Sequence, residues 1–242
     1  MKLHVIGSSS KGNAYALESA NEILLLEAGC SMQEVKKAIG WQVGKIVGCV
    51  ATHAHGDHVG KIRDYCEMGF PIITNDETAE FIETVYGEKV LSVPECNLRF
   101  FGKFSVNGFY LPHNGVANFG YLIHYPEMGN LLFMTDMEYC KFDFSALQPN
   151  HLLIEANYDM ELVDRSIPNY EHKLLGHSSI QTTCGIIKAN RTPQLMNVVL
   201  CHLGAFSDEV DFIRQAREAA GPGVMVDVAD TGKVFELGLE PF

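Results

Sequence analysis

Residues 52–60 read THAHGDHVG, which places His53, His55, Asp57 and His58 within six positions, directly after the apolar run KIVGCVA. Imidazole and carboxylate groups bind divalent cations or move protons near neutral pH, and together they suit zinc, manganese or iron. A tight loop after a buried strand can turn all four towards one point. Three further candidates stand where predicted strands run out: His113 after FYL and Pro112, Asp136 after LLFMT, and His202 after MNVVLC. Seven ligands exceed one tetrahedral zinc and divide into two sites. His53, His55 and His113 would hold one ion, Asp57, His58 and His202 the other, with Asp136 bridging them. Two divalent ions about 3.5–4 Å apart can share a hydroxide at neutral pH and stabilise both entering and leaving oxygens. That is hydrolytic chemistry.

The elements that must position these groups follow from the hydropathy pattern. LHVI, AYALES and EILLLEA read as strands, with GSSSKGN as a hairpin turn after the first. Ser31 and Glu34 form a capping box for a helix that closes near Gly40. KIVGCVAT is a buried strand, VGKIRDYCEMG a helix stopped at Gly69, PIIT a strand, and a helix follows Asn75. KVLSV, LRFF, FSVNGFYL, NFGYLIHY and NLLFMT are strands. HLLIEA, MNVVLCH, VMVDVA and KVFELG continue the β pattern, with helices after Ser178 and from Ser207 to about Ala220. Strands flanked by helices at both ends of the chain predict an α/β (α+β) architecture of two sheets packed face to face, helices outside, in a single domain over residues 1–242.

Composition limits the function classes. The chain has 242 residues, 47% of them hydrophobic, enough for a substantial core. No apolar window reaches the roughly 18 residues needed to cross a bilayer, and the N-terminus does not read as a secretory signal, so no membrane is expected. The seven cysteines are dispersed with no CxxC pair, which points to buried thiols and a cytoplasmic protein. Eighteen basic against thirty acidic residues give a net charge of −12, which excludes a broad basic footprint for nucleic acid. It does not exclude catalysis on a phosphodiester, because two divalent cations would add positive charge where it acts.

HxHxDH with the later single His, Asp and His resembles the metallo-β-lactamase superfamily across essentially the whole chain. The resemblance implies a four-layer αβ/βα sandwich with a dinuclear site, holding zinc or manganese or iron, at one edge of the sheets. Asp136 stands where lactamases of the family usually carry a cysteine, which argues against a β-lactam substrate. LPHNGVANFGY differs from the HTPGH-like stretch of glyoxalase II-type members, and His55 stands where diiron oxygen-reducing members carry glutamate. LPHNGVANFGYLI is similar instead to the nuclease branch. LLIEANYD, with Glu155 at a strand end, resembles the acidic motif of RNase Z-like enzymes, and GHSS, with His177 at a helix start, resembles their histidine-serine motif. The nearest type is the small YycJ/WalJ type, which lacks an inserted clamping domain and carries a turn similar to GSSSKGN. Its members are regarded as DNA exonucleases.

The expected activity is therefore a dinuclear phosphodiesterase acting on DNA or a nucleotide-like phosphodiester, with a metal-bridging hydroxide as nucleophile. Asp57, Glu155 and His177 are the candidate catalytic residues. An alkoxide leaves poorly, so a general acid adds about 10²–10⁴-fold, and His177 held protonated by Glu155 would be that acid. A helix start would oppose a cationic histidine. Ser9, Ser10, Lys11 and Asn13 would face a phosphate at the rim. Two other readings use the same residues: a small-molecule hydrolase for an ester, thioester, lactone or cyclic nucleotide, and a non-catalytic module stabilised by its metals.

Overall fold

The computed structural model describes residues 1–163, 166, 170–205 and 207–239. Two seven-stranded sheets pack face to face. The first runs in the order β14 (Val234–Glu236), β1 (Lys2–Ser9), β2 (Gly12–Glu18), β3 (Ile23–Leu26), β4 (Ile46–Val50), β5 (Ile72–Thr74), β6 (Leu91–Ser92). The second runs β13 (Met225–Val228), β12 (Asn197–Cys201), β11 (His151–Glu155), β10 (Gly129–Met134), β9 (Asn118–Tyr125), β8 (Phe104–Leu111), β7 (Arg99–Phe101). β1–β3 and β7–β10 pair antiparallel, whereas β3–β6 and β10–β13 pair parallel. No described helix is long and apolar enough to cross a membrane.

The period of two along each strand builds the layers. Leu24, Leu26, Phe133, Leu153 and Val199 face inward and fill the space between the sheets. Their neighbours Ile23 and Leu25 point out, onto Val35 of α1 (Met32–Ala38), Ile62 of α3 (Ile62–Cys66) and Ile82 of α4 (Asp76–Tyr86). Leu132, Leu152, Ile154 and Leu200 point out from the second sheet onto Ile187 of α6 (Ile180–Ala189) and Phe212 of α7 (Glu209–Ala220). Because both faces of the central strands are covered, those strands read as continuous apolar runs. The result is a four-layer αβ/βα sandwich.

Several local expectations shift. The capping box at Ser31 and Glu34 forms, and Asn75 caps α4. The helix expected over VGKIRDYCEMG is instead two pieces, α2 (Gly56–Val59) and α3. The Lys61 N–H donates to Ala28 O at 2.9 Å and the Ala28 N–H to His58 O at 2.7 Å, so this segment is stitched to the chain after β3 and the helical ladder breaks. KVLSV contributes only the two residues of β6, and α7 is capped by Asp208 rather than Ser207. GSSSKGN is more than a turn: β1 runs through Ser9 and β2 resumes at Gly12. A short helix, α5 (Tyr170–Gly176), precedes α6.

His151, at the start of β11, is fully buried. Its Nε2–H donates to Met128 O at 3.0 Å and its Nδ1 accepts from the Asn197 amide at 2.9 Å, an arrangement that fits only the neutral ring. Burial pushes its pKa down to about 4. The unfolded chain therefore binds the proton first, and stability falls as pH drops from about 6.5 towards 4, by about 3 kcal/mol in total. Urea unfolding of the native chain and of His151→Gln at pH 7.5 and pH 4 checks this. The glutamine variant should lose less stability on acidification by about that amount, and equal losses would contradict it.

Candidate metal centre

All seven predicted ligands gather at one edge of the two sheets. His53, His55, His113 and Asp136 offer ligand atoms within 4.8 Å of one another, and so do Asp57, His58 and His202. A third overlapping group joins Asp136 and His202 to Glu155 and His177.

Local backbone explains the convergence. His55 is extended (φ −68°, ψ 149°) at the start of α2, so His53 and His55 project to the same side. The helical turn that follows swings Asp57 and His58 round. Gly29 permits the close approach of this loop, since a β-carbon there would lie 1.8 Å from Asp57 O. Asp136 and His202 each follow a strand with φ of 50° and 49°, left-handed values that few non-glycine residues adopt. Such turns cost about 1–3 kcal/mol each and persist where the surroundings fix them. Here the Asn118 amide donates to Asp136 O at 2.7 Å, and the Ser8 hydroxyl accepts from His202 N–H at 3.0 Å.

His113, His53 and His58 are oriented from behind. The His113 Nδ1–H donates to Gly176 O at 2.6 Å, which leaves Nε2 facing inward, 3.1 Å from His55 Nδ1. Thr52 donates its hydroxyl to Glu27 Oε1 at 2.6 Å and so accepts from His53 Nδ1, 2.9 Å away. His53 Nε2 then faces His55 Nδ1 at 2.9 Å. His58 Nδ1 lies 3.2 Å from Glu27 Oε1, and its Nε2 lies 3.4 Å from both Asp57 Oδ2 and Asp136 Oδ1. His202 reaches Asp136 through Nδ1 at 2.9 Å and Asp57 through Nε2 at 3.5 Å.

Two divalent cations fit this donor set. Nitrogens around a tetrahedral zinc lie about 3.3–3.4 Å apart, close to the inward-facing spacings of His53, His55 and His113. Glu27, Asp57, Asp136 and Glu155 are four carboxylates whose described ion-pair partners are all histidines, never lysine or arginine. Two divalent ions would balance those four charges. Burial lowers the pKa of His53, His55 and His113, the last to about 4, so these rings are neutral and able to coordinate. For His58 and His202 burial is again the largest single effect and lowers the pKa, but the carboxylates together, Asp136 with Glu27 and Asp57 at His58 and Asp136 with Asp57 and Glu155 at His202, outweigh it and raise both.

Beside this cluster stands an acid pair. Glu155, at the end of β11 and fully buried, accepts from Met137 N–H at 3.1 Å and Ser178 N–H at 3.0 Å through Oε2. Its Oε1 lies 2.7 Å from His177 Nδ1. Burial opposes the His177 charge, yet the Glu155 carboxylate and its hydrogen bond raise the pKa. The helix expected after Ser178 forms as α6, and His177 lies between it and a second helix that the GHSS pattern did not suggest. Ser179 caps α6, and His177 follows Gly176, the last residue of α5, with its N–H on Lys173 O at 3.1 Å. The carboxyl end of α5 favours a cation and so opposes the effect of the α6 start two residues on.

The hairpin residues divide. Ser9 is half-buried, and Ser10 and Lys11 are exposed near the rim. Asn13 turns inward instead: it is buried, and its amide lies 3.2 Å from Asp57 Oδ2 and 3.1 Å from Ser9 O, so it steadies the metal loop rather than facing out. Glu27 was missed. The signal was present in LLLEAG, where an acid closes a wholly apolar strand and so needs a buried partner. Glu27→Gln weakens the hold on His58 and His53, and metal affinity should fall about 10–100-fold. Competition with a fluorescent chelator measures it, and an unchanged affinity would remove Glu27 from the centre.

Comparisons with known proteins bear on the family and the fold. The sequence profile of the metallo-β-lactamase superfamily matches residues 9–139. The chain is 27% identical over 174 residues to proteins named exodeoxyribonuclease WalJ in two strains of Streptococcus pneumoniae, a stretch covering 67% of this chain and 64% of those relatives. Among solved structures, the metallo-β-lactamase fold protein YhfI of Bacillus subtilis superposes with a TM-score of 0.75 at 19% identity, covering 97% of this chain and 99% of that one. A diphosphatase of the PhnP family gives 0.72 at 14% identity, covering 98% of both chains. The short form of human tRNase Z gives 0.64 at 19%, covering 98% of this chain and 99% of that one. At these identities the structural likeness bears on the fold alone. With the profile match spanning more than half of its length, the chain belongs to the metallo-β-lactamase superfamily of hydrolases.

Proposed function

We propose that the chain is a dinuclear metal-dependent phosphodiesterase that acts on DNA ends as an exonuclease. The observation that carries this reading is the His177 imidazole, 2.7 Å from Glu155 and 3.7 Å from Asp136, placed where it can hand a proton to a departing oxygen beside the ligand cluster. Similarity to proteins named exodeoxyribonuclease supports the choice of DNA.

Two divalent cations, one among His53, His55, His113 and Asp136 and one among Asp57, His58, His202 and Asp136, would activate water at neutral pH and offset charge on the phosphoryl oxygens. The protein does the rest. Glu155 holds His177 protonated and aimed, and Ser178 and Met137 N–H groups hold Glu155. The His177 Nε2 is then free to donate to the leaving alkoxide. Asn13 steadies the Asp57 carboxylate, while Ser9, Ser10 and Lys11 meet the flanking phosphate at the rim. All seven cysteines are free thiols, in keeping with the cytoplasmic setting proposed here.

Bis(p-nitrophenyl) phosphate, a lactone and a fluorescently labelled DNA end, each offered with Mn²⁺ and with Zn²⁺, test the proposal. Cleavage of the DNA end and of the phosphate diester is expected. The net charge of −12 favours a second reading, a small-molecule hydrolase on the same centre, and cleavage of the lactone alone would select it. No turnover on any of the three with two ions bound would leave a regulatory module.

A further inference from the structure

A cavity of about 180 Å³ opens beside the metal centre, and its lining includes His177, His202, Ser10, Lys173 and Gly204. Pockets for drug-sized ligands run about 300–1,000 Å³, so this one suits a single small group rather than a base or a sugar. His177 forms part of its wall, which places the cavity on the leaving-group side of the centre.

Lys173 is the unusual member. Its Nζ sits 5.5 Å from the centroid of the Tyr158 ring, a cation–π distance. It also packs on the Gly204 backbone, where a β-carbon would lie 3.3 Å from Nζ and 2.4 Å from Asn157 O. The side chain is half-buried, and burial lowers its pKa against a weaker opposing pull from the Glu155 carboxylate. Among the described residues, the lysine ion pairs are those of Lys89 and Lys233 alone, and the Glu155 carboxylate is taken by His177 and His202. A half-buried ammonium with no carboxylate in contact is costly unless an anion arrives to meet it. The cavity supplies the space for that anion, and the exposed Ser10 supplies a hydroxyl on its wall.

We infer that this cavity is a phosphate subsite, in which Lys173 and Ser10 receive the backbone phosphate next to the scissile one on the leaving side. The phosphodiester being cleaved lies at the metal centre, and the next phosphate of the same strand enters the cavity. Lysine serves such a role as a point charge, and a hydrogen bond to a charged group of this kind contributes roughly tenfold or more in affinity. The subsite thus selects substrates with at least two consecutive phosphates, a nucleic-acid strand over a lone diester. It deepens the phosphodiesterase reading and rests on it for the identity of the ligand.

The test compares two probes by titration calorimetry on the metal-loaded protein: thymidine 5′-monophosphate and thymidine 3′,5′-bisphosphate. The second phosphate is expected to tighten binding roughly tenfold in the native chain. That ratio should fall to about one in Lys173→Ala and return in Lys173→Arg, which keeps the charge. A native ratio of one, or a ratio unchanged in Lys173→Ala, would overturn the inference. A lysine that merely supports the fold would weaken both probes alike and leave the ratio intact, which also overturns it. Because binding is read, failure of the phosphodiesterase reading shows separately, as absent cleavage of bis(p-nitrophenyl) phosphate and DNA.

Discussion

Asp136→Ala is expected to lower turnover by about 10³-fold or more and to reduce bound metal below two ions per chain. The carboxylate lies 2.9 Å from His202 Nδ1, 3.4 Å from His58 Nε2 and 4.0 Å from His53 Nε2, so it is the one group common to both ligand sets. It is 2% exposed, and the histidines around it hold its pKa well below the usual carboxylate range despite burial. Removing it would leave each of the two proposed ions short of a ligand and strip negative charge from the middle of the cluster. Metal chemistry of this kind supplies several kcal/mol of barrier lowering, and each 1.36 kcal/mol is tenfold in rate. Elemental analysis and steady-state kinetics on the same preparation check both parts. A variant with two ions still bound and undiminished turnover would show that Asp136 bridges nothing.

His177→Ala should cost about 10²–10⁴-fold on a DNA end while leaving the metal content at two. The size of the loss should depend on the leaving group. In the proposed role His177 would deliver the proton an alkoxide needs, whereas p-nitrophenolate departs without much help, so bis(p-nitrophenyl) phosphate should lose far less. Glu155→Gln should follow in the same direction, because the amide cannot hold the imidazolium and because Oε1 then meets His177 Nδ1 at 2.7 Å without charge. Equal losses on both substrates would assign His177 to substrate binding or to metal retention instead. Metal loss in His177→Ala would make it a ligand, as its place in the third donor group permits.

What was legible in the residues follows from how local each signal is. HxHxDH is chemistry written over a few positions, and the later His113, Asp136 and His202 all close apolar strands, so their convergence needed only the sheets to form. The sheets were legible because alternation separates Leu24 and Leu26 from Ile23 and Leu25 on opposite faces. Three features depend on contacts distant in sequence, and those were not legible. The break between α2 and α3 comes from hydrogen bonds to Ala28, about 30 residues upstream. Helix α5 is short, and its carboxyl end is held by tertiary bonds, Gly176 O to His113 and Leu175 O to Asn114 N–H. A helix of that length owes its stability to packing more than to propensity. Without it, His177 was read only as preceding α6, and its place after the end of α5 was not seen. Asn13 likewise looked like a rim residue because hairpin asparagines usually serve turns, whereas here Asp57 draws its amide inward.

Anomalous X-ray diffraction from crystals soaked in Mn²⁺ or Zn²⁺ addresses the proposed twin-cation centre most directly. The expected map has two peaks about 3.5–4 Å apart. One lies within reach of His53, His55 and His113, the other within reach of Asp57, His58 and His202, and Asp136 touches both. A single peak, or none at these side chains under saturating metal, would contradict it.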